Sequence, residues 1–134
     1  MQHADFLGSW QIDRQIDDHL TGETARFEGK AVITAAQGAW RFDEAGTLRL
    51  ANGAVMTAER RYLWMPVEQG FAIQFDDGRA FHNLRFGQDC TADHWCDPDQ
   101  YDVSYDFAAW PVWRSVWRVN GPRKDYTLTS DFTK

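Results

Sequence analysis

Residues 113–132, with the sequence WRSVWRVNGPRKDYTLTSDF, contain two stretches in which every second side chain is apolar or small. The first stretch runs from Trp113 to Val119 and the second from Tyr126 to Phe132. Alternation with a period of two is typical of a β-strand that buries one face. Between the stretches lies Asn120-Gly121-Pro122, whose residue types favour a chain reversal. This region therefore predicts an antiparallel β-hairpin.

The same alternation continues through the rest of the chain. Four further segments follow it, at 10–17, 27–34, 71–76 and 101–107. Weaker strands are predicted at 38–43, 47–51, 57–66 and 80–86, so the total is about ten. Turn-forming residues separate neighbouring segments at Asp43-Glu44-Ala45-Gly46, Asn52-Gly53, Glu68-Gln69-Gly70 and Asp76-Asp77-Gly78.

Strands that follow one another through short turns limit the possible architectures. No stretch of 10–12 residues has helical periodicity, which excludes a parallel sheet with crossover helices. A sandwich and a closed barrel both remain, and a meander of hairpins favours closure because closure removes exposed sheet edges. We expect one all-β domain over residues 1–134, a single antiparallel up-and-down β-barrel of about 8–10 strands with a short helical turn at the N-terminus.

Charge and hydropathy exclude two classes of partner. The net charge is −6 and the pI is about 5.0, whereas nucleic acids and acidic membranes attract basic surfaces. No run approaches the ~20 apolar residues of a membrane-spanning helix. The N-terminus lacks a basic region followed by an apolar stretch, so no signal peptide is predicted. We therefore expect a cytoplasmic protein that binds neither nucleic acid nor membrane.

Rings outnumber aliphatic side chains, and some polar residues share faces with them. The chain has 20 Trp, Phe and Tyr residues against 18 Ile, Leu and Val. Alternation places Arg14 among Trp10, Ile12 and Ile16, and an arginine that points into a barrel needs a partner, an anion or water. A ring-lined cavity with polar groups suits a small aromatic or anionic molecule. The candidate ligand-binding residues are Arg60, Tyr62, Trp64, His82, His94, Tyr101, Tyr105, Trp117 and Lys124.

Two resemblances support a barrel. Gly8-Ser9-Trp10 resembles the opening motif of the lipocalins and fatty-acid-binding proteins, the calycin group. That resemblance implies that Trp10 closes one barrel end beneath an arginine of a late strand, Arg118 or else Arg123. The chain is also similar to a family of small uncharacterised bacterial proteins with a lipocalin-like barrel, through stretches 77–82, 94–101 and 119–126. It lacks the helix-turn-helix lid that fatty-acid-binding proteins have after the first strand.

The leading functional hypothesis is a small-molecule-binding protein, and three alternatives stay open. The first is a small enzyme of lyase, decarboxylase or cyclase type, by analogy with other calycin-like barrels, with His82 or His94 as general acid or base. Arg60 or Lys124 would then bind a carboxylate. The second is a filled core whose polar atoms satisfy one another. The third is an interaction protein, monomer or homodimer, that pairs through exposed aromatic residues of Trp110-Pro111-Val112-Trp113.

One group of side chains has residue types that can bind a metal ion. His82, His94, Cys90 and Cys96 are residue types that bind zinc, but no CxxC or HExxH spacing is present. Cys90 is expected in a loop, and both cysteines are expected to be free thiols in a reducing compartment. The sequence therefore predicts neither a metal site nor a cofactor.

Overall fold

Successive hairpins connect ten antiparallel strands into one sheet in the computed structural model, which describes residues 1–87 and 90–134. A single 3-10 turn at His3–Phe6 precedes the first strand. The strands are β1 Gly8–Asp18, β2 Thr24–Thr34, β3 Trp40–Arg49, β4 Val55–Val67, β5 Gly70–Phe75, β6 Ala80–Arg85, β7 Cys90–Cys96, β8 Asp99–Asp106, β9 Trp113–Asn120 and β10 Asp125–Thr133.

The order of the strands in the sheet is that of an up-and-down barrel. Neighbours run β6-β5-β4-β3-β2-β1-β10-β9-β8-β7, so the first and last strands of the chain pair with each other. In that pair Arg14 lies opposite Ser130. Between β6 and β7 no ladder forms among the described residues, although the two strands are in contact. The architecture is thus an all-β, nearly closed calycin-like barrel, as the sequence predicted.

Burial follows the predicted period of two. On β1, Trp10, Ile12 and Arg14 are buried while Gln11 and Asp13 are exposed. The same alternation on the other strands places large apolar side chains in one core that fills the barrel. Because β1, β3, β6, β9 and β10 also bury polar side chains, the interior holds hydrogen-bonding groups as well as rings.

Two strand assignments made from the sequence were wrong. The predicted turn at 43–46 lies inside β3, which pairs continuously with β2 and β4. Gly46 allows β2 and β3 to lie close together, since a Cβ on Gly46 would lie 2.3 Å from a backbone oxygen of β2 and 2.8 Å from the Phe27 ring. Cys90 was expected in a loop, but it begins β7. The two errors cancel in the count of ten strands.

Within the described part of the chain, no helix has the length and apolar character needed to cross a lipid bilayer.

Candidate functional site

A floor of aromatic rings closes one end of the barrel. Phe6, at the end of the 3-10 turn, is fully buried and packs on Trp10, Phe71 and Trp113 at ring-centroid distances of 5.6–6.4 Å. The indole Nε1 of Trp10 donates a hydrogen bond to the carbonyl of Phe6 at 2.9 Å, which fixes the turn across the barrel end. This end is therefore a packed plug that gives a ligand no access.

The cation over Trp10 comes from a different residue than predicted. Lys134 Nζ lies 4.2 Å from the ring centroid of Trp10 and donates a hydrogen bond to the Leu7 carbonyl at 2.9 Å. Arg118 instead forms an ion pair with Asp125. The expectation for Arg118 was wrong because Trp117 points inward, so its neighbour on β9 faces outward.

Polar side chains cross the inner wall next to this floor. Arg14 on β1 lies opposite Ser130 on β10, Ser130 opposite Ser115 on β9, and Ser115 opposite Tyr105 on β8. With Glu44 on β3, these four residues form what we call the polar belt, and all five line one internal cavity. The belt divides the ring-filled interior into two layers.

A buried ion pair anchors the belt. Arg14 donates to both carboxylate oxygens of Glu44, at 2.8 and 2.7 Å, and its Nε donates to the Ser130 hydroxyl at 2.6 Å. The side chains of Arg14 and Glu44 are 8% and 4% exposed. Two parallel charge-assisted bonds of this kind fix both groups in one geometry.

Arg60 brings a second cation to the same place. It lies opposite Glu44 in the β3–β4 register and interacts with the Tyr62 side chain. Desolvation acts to lower the pKa of Arg60, but Tyr62 and Glu44 outweigh it, and the pKa is raised from its usual value. Desolvation also raises the pKa of Tyr62, so this phenol stays protonated at neutral pH. No carboxylate of the described residues lies within ion-pair distance of Arg60.

His82 extends the belt to β6. A register shift between β5 and β6 allows both Phe81 and His82 to be buried. The Nε2 of His82 is 2.6 Å from the Tyr105 hydroxyl, while its Nδ1 is buried without a partner in the described part of the chain. Desolvation, aided by His94, lowers the pKa of His82 to about 3. The imidazole is therefore neutral at physiological pH.

The neutral state of His82 affects its predicted role as a general acid or base. With this pKa His82 carries no imidazolium proton at neutral pH, so it does not act as a general acid there unless a bound molecule changes its surroundings. The roles of His82 and His94 in catalysis stay predictions.

Three rings meet beyond the belt. The centroids of Tyr62 and Trp117 are 5.7 Å apart, those of Phe81 and Trp117 are 5.2 Å apart, and those of Tyr62 and Phe81 are 6.1 Å apart. These rings come from β4, β6 and β9, so they span the barrel, and we call them the ring lid. The internal cavity has a volume of only about 30 Å³, which holds about one water-sized group.

Outside the ring lid, the barrel wall has a notch. Of β4, residues 62–67 pair with β5, so the earlier part of the strand pairs with β3 alone. An open cleft of about 530 Å³ lies there, lined by Arg60, Arg61, Tyr62, Phe75, Asp76, Asp77 and Arg79. Because Arg60 and Tyr62 line both spaces, they stand between the cleft and the internal cavity.

The nine predicted ligand-binding residues divide into two groups. The internal cavity brings together five of them, namely Arg60, Tyr62, Trp64, Tyr105 and Trp117. His82 is bonded to one of these, while His94 and Tyr101 pack against Phe81 at 5.5 and 5.4 Å. Lys124 lies outside the cavity, in an ion pair with Asp99 at 3.1 Å.

Sequence reasoning missed several residues of the site, among them Ser115, Ser130, Trp113 and Glu44. Glu44 was placed in a turn, although it carries the only carboxylate that lines the cavity among the described residues. Its alternation with Phe42, two positions earlier on β3, is the signal that could have found it.

The described residues contain no cluster of metal-binding side chains. Among the described residues, no group of three or more His, Cys, Asp or Glu side chains could hold a metal ion. Cys96 is a free thiol, and the side chain of Cys90 lies outside the described part.

The predicted aromatic interaction patch is not exposed. Trp113 is 2% exposed, and Trp110 packs against Phe6 with ring centroids 4.8 Å apart. Val112, by contrast, is exposed. The expectation that Trp113 is exposed was wrong, because period-two alternation continues from Ser115 back to Trp113 and buries its ring. Monomer or homodimer stays a prediction.

The barrel, its plugged end and its polar interior define a calycin-like protein with an internal site. By sequence, the chain belongs to DUF6314, a family of unknown function, with residues 6–134 matched. Comparison with curated proteins finds no match. Among solved structures, the fold is similar to that of the S-type phycobiliprotein lyase CPES from Guillardia theta, with a TM-score of 0.56 and 11% identity over 96% of this chain and 86% of that one.

Proposed function

We propose that this protein binds a small molecule with an acidic group and an aromatic body, and that Arg60 binds the acidic group. The observation that carries this proposal is the charge of the site. Arg14 and Arg60 bring two cations to the cavity, and Glu44 brings one carboxylate, which is already held at both oxygens by Arg14. Arg60 is exposed at the cleft and has no carboxylate partner among the described residues, so its guanidinium is available to an anion that enters from solvent.

The surroundings of Arg60 suit an aromatic body. Tyr62 and Phe75 line the cleft beside it, and Trp117 lies against Tyr62. The cleft has the volume of an ordinary small-molecule site, whereas the internal cavity is far smaller. The ligand body therefore occupies the cleft and the position of the ring lid. Tyr62 and Trp117 are half-buried, and side-chain rotation on binding is common at such sites.

The fold similarity agrees with this proposal at the level of architecture. A barrel of this kind serves in a phycobiliprotein lyase, and at 11% identity it supports the fold and leaves the ligand of this chain to be found.

The test is isothermal titration with 2-naphthoate and with the neutral analogue 2-naphthalenemethanol. We expect the wild type to prefer the acid, and Arg60→Met to weaken naphthoate binding about 10- to 100-fold, since hydrogen bonds to charged groups contribute about 1.5–3 kcal/mol. Arg41→Met is the matched control, because Arg41 on the neighbouring strand β3 is an exposed cation that pairs with Asp43 and lines neither the cleft nor the internal cavity. Equal loss in both variants, or no preference for the acid, would overturn the proposal.

A further inference from the structure

Two buried polar atoms without partners belong to two rings that pack against the same tyrosine. Trp113 is 2% exposed and His82 is 7% exposed. The indole Nε1 of Trp113 and the Nδ1 of His82 have no hydrogen-bond partner within residues 1–87 and 90–134. Both rings pack against Tyr105, with centroids 6.2 and 5.7 Å away. Orphaned buried polar atoms are rare in folded proteins, and two beside one residue indicate a binding position.

The Trp113 nitrogen sets the chemistry that this position requires. An indole N–H is a donor only, so its partner must be an acceptor. Trp113 lines the internal cavity together with the hydroxyl-bearing residues Ser115 and Ser130. Ser115 is two residues along β9 from Trp113 on the same inward face. The hydroxyls of Ser115 and Ser130 therefore line the same cavity as the indole N–H.

The size of the cavity limits what can enter. Its volume of about 30 Å³ matches one oxygen with its attached atom and excludes a ring. Stacking of Trp113 on Phe132, at 3.8 Å between centroids, fixes the indole in place and prevents easy enlargement of the cavity. The cavity thus suits the end group of a longer molecule whose body lies nearer the cleft.

We infer that the internal cavity is a second subsite, in which the Trp113 N–H selects ligands that carry an acceptor oxygen at the end opposite their acidic group. This inference rests on the proposed function, because Arg60 has to hold the acidic end. It narrows the ligand to elongated, flat acids with an oxygen at each end. His82 lies outside the lining of this cavity and contacts it through Tyr105, whose hydroxyl is 2.6 Å from the His82 Nε2.

The test compares 2-naphthoate with 6-hydroxy-2-naphthoate, which adds one oxygen at the far end of the same rings. In the wild type we expect the hydroxy acid to bind about 5- to 10-fold more tightly, the effect of one hydrogen bond to a buried donor. In Trp113→Phe we expect the two affinities to agree within about twofold, because the donor is gone. The unsubstituted acid controls for the change in ring volume.

A second readout uses the wild type alone, in case Trp113→Phe fails to fold. The indole ¹H–¹⁵N resonance of Trp113, assigned through its contacts with Phe132, should move downfield with the hydroxy acid and much less with 2-naphthoate. Equal wild-type affinities with no difference in this resonance would overturn the subsite and leave the proposed function standing. Failure of both acids to bind would overturn both.

Discussion

Replacing Glu44 by Gln removes the charge that compensates Arg14 while keeping the size of the side chain. The pair has two bonds of 2.8 and 2.7 Å and is less than a tenth exposed at either end. Losing one partner of a buried pair costs about 3–5 kcal/mol, because the remaining charge stays in a poorly solvated place.

Urea unfolding followed by tryptophan fluorescence measures this cost. With an m-value of about 2 kcal/mol per molar urea, the midpoint should fall by about 1.5–2.5 M. The double variant Arg14→Met/Glu44→Leu should regain most of the loss, since it leaves no charge uncompensated.

The matched control breaks an ion pair of the same type on the surface. Arg114 bonds both carboxylate oxygens of Asp131, at 2.7 and 3.1 Å, with both side chains about half exposed. Asp131→Asn should cost less than about 1 kcal/mol. If Glu44→Gln costs no more than this control, the interior pair is solvated and the reasoning about the site's charge is wrong.

Three further predictions concern other parts of the molecule. The pKa of His82 is lowered from 6.5 to about 3, so the unfolded chain takes up this proton at a higher pH than the folded chain, and stability falls as the pH drops below 6.5. Between pH 7 and pH 5, urea titrations should show the wild type losing about 2 kcal/mol more stability than His82→Gln, and equal losses in the two proteins would contradict this. Gly46→Ala should lower the free energy of unfolding by more than about 2 kcal/mol, because the added Cβ would clash with the backbone of β2. Gly53→Ala should lower it by about 1 kcal/mol, because Gly53 has a positive φ of 89° but no neighbour within reach of a Cβ. Equal shifts in melting temperature would contradict the close approach of β2 and β3. Lys134→Met should lower stability by about 0.5–1 kcal/mol through loss of the cation over Trp10, and an unchanged midpoint would show that the contact contributes nothing.

Period-two alternation was sufficient to predict the barrel and much of its lining. It identified the inward face of β1 and therefore predicted that Arg14 points inward. Both faces of residues 57–66 carry hydrophobic side chains, so alternation left the direction of Arg60 open. The same alternation also predicts that Arg118 faces outward, because Arg118 is the neighbour of Trp117 on β9 and Trp117 faces inward. Local pattern is sufficient here because each strand has one buried face.

Long-range contacts account for what the sequence did not reveal. Glu44 and Gly46 are residue types that are common in turns. In the structure, Glu44 is polar because it pairs with Arg14, and Gly46 is small because β2 packs closely against it. Strand β7 was missed because its inward residues, among them Ala92 and His94, are small or polar. Lys134 reaches Trp10 only because β10 pairs with β1.

Native mass spectrometry of the protein purified from its own host, compared with its denatured mass, tests the central claim most directly. The account predicts a non-covalent adduct on the wild type that is retained in Arg41→Met and lost in Arg60→Met. Identical native and denatured masses for the wild-type chain, or an adduct that persists equally in Arg60→Met, would contradict a ligand held in the barrel by Arg60.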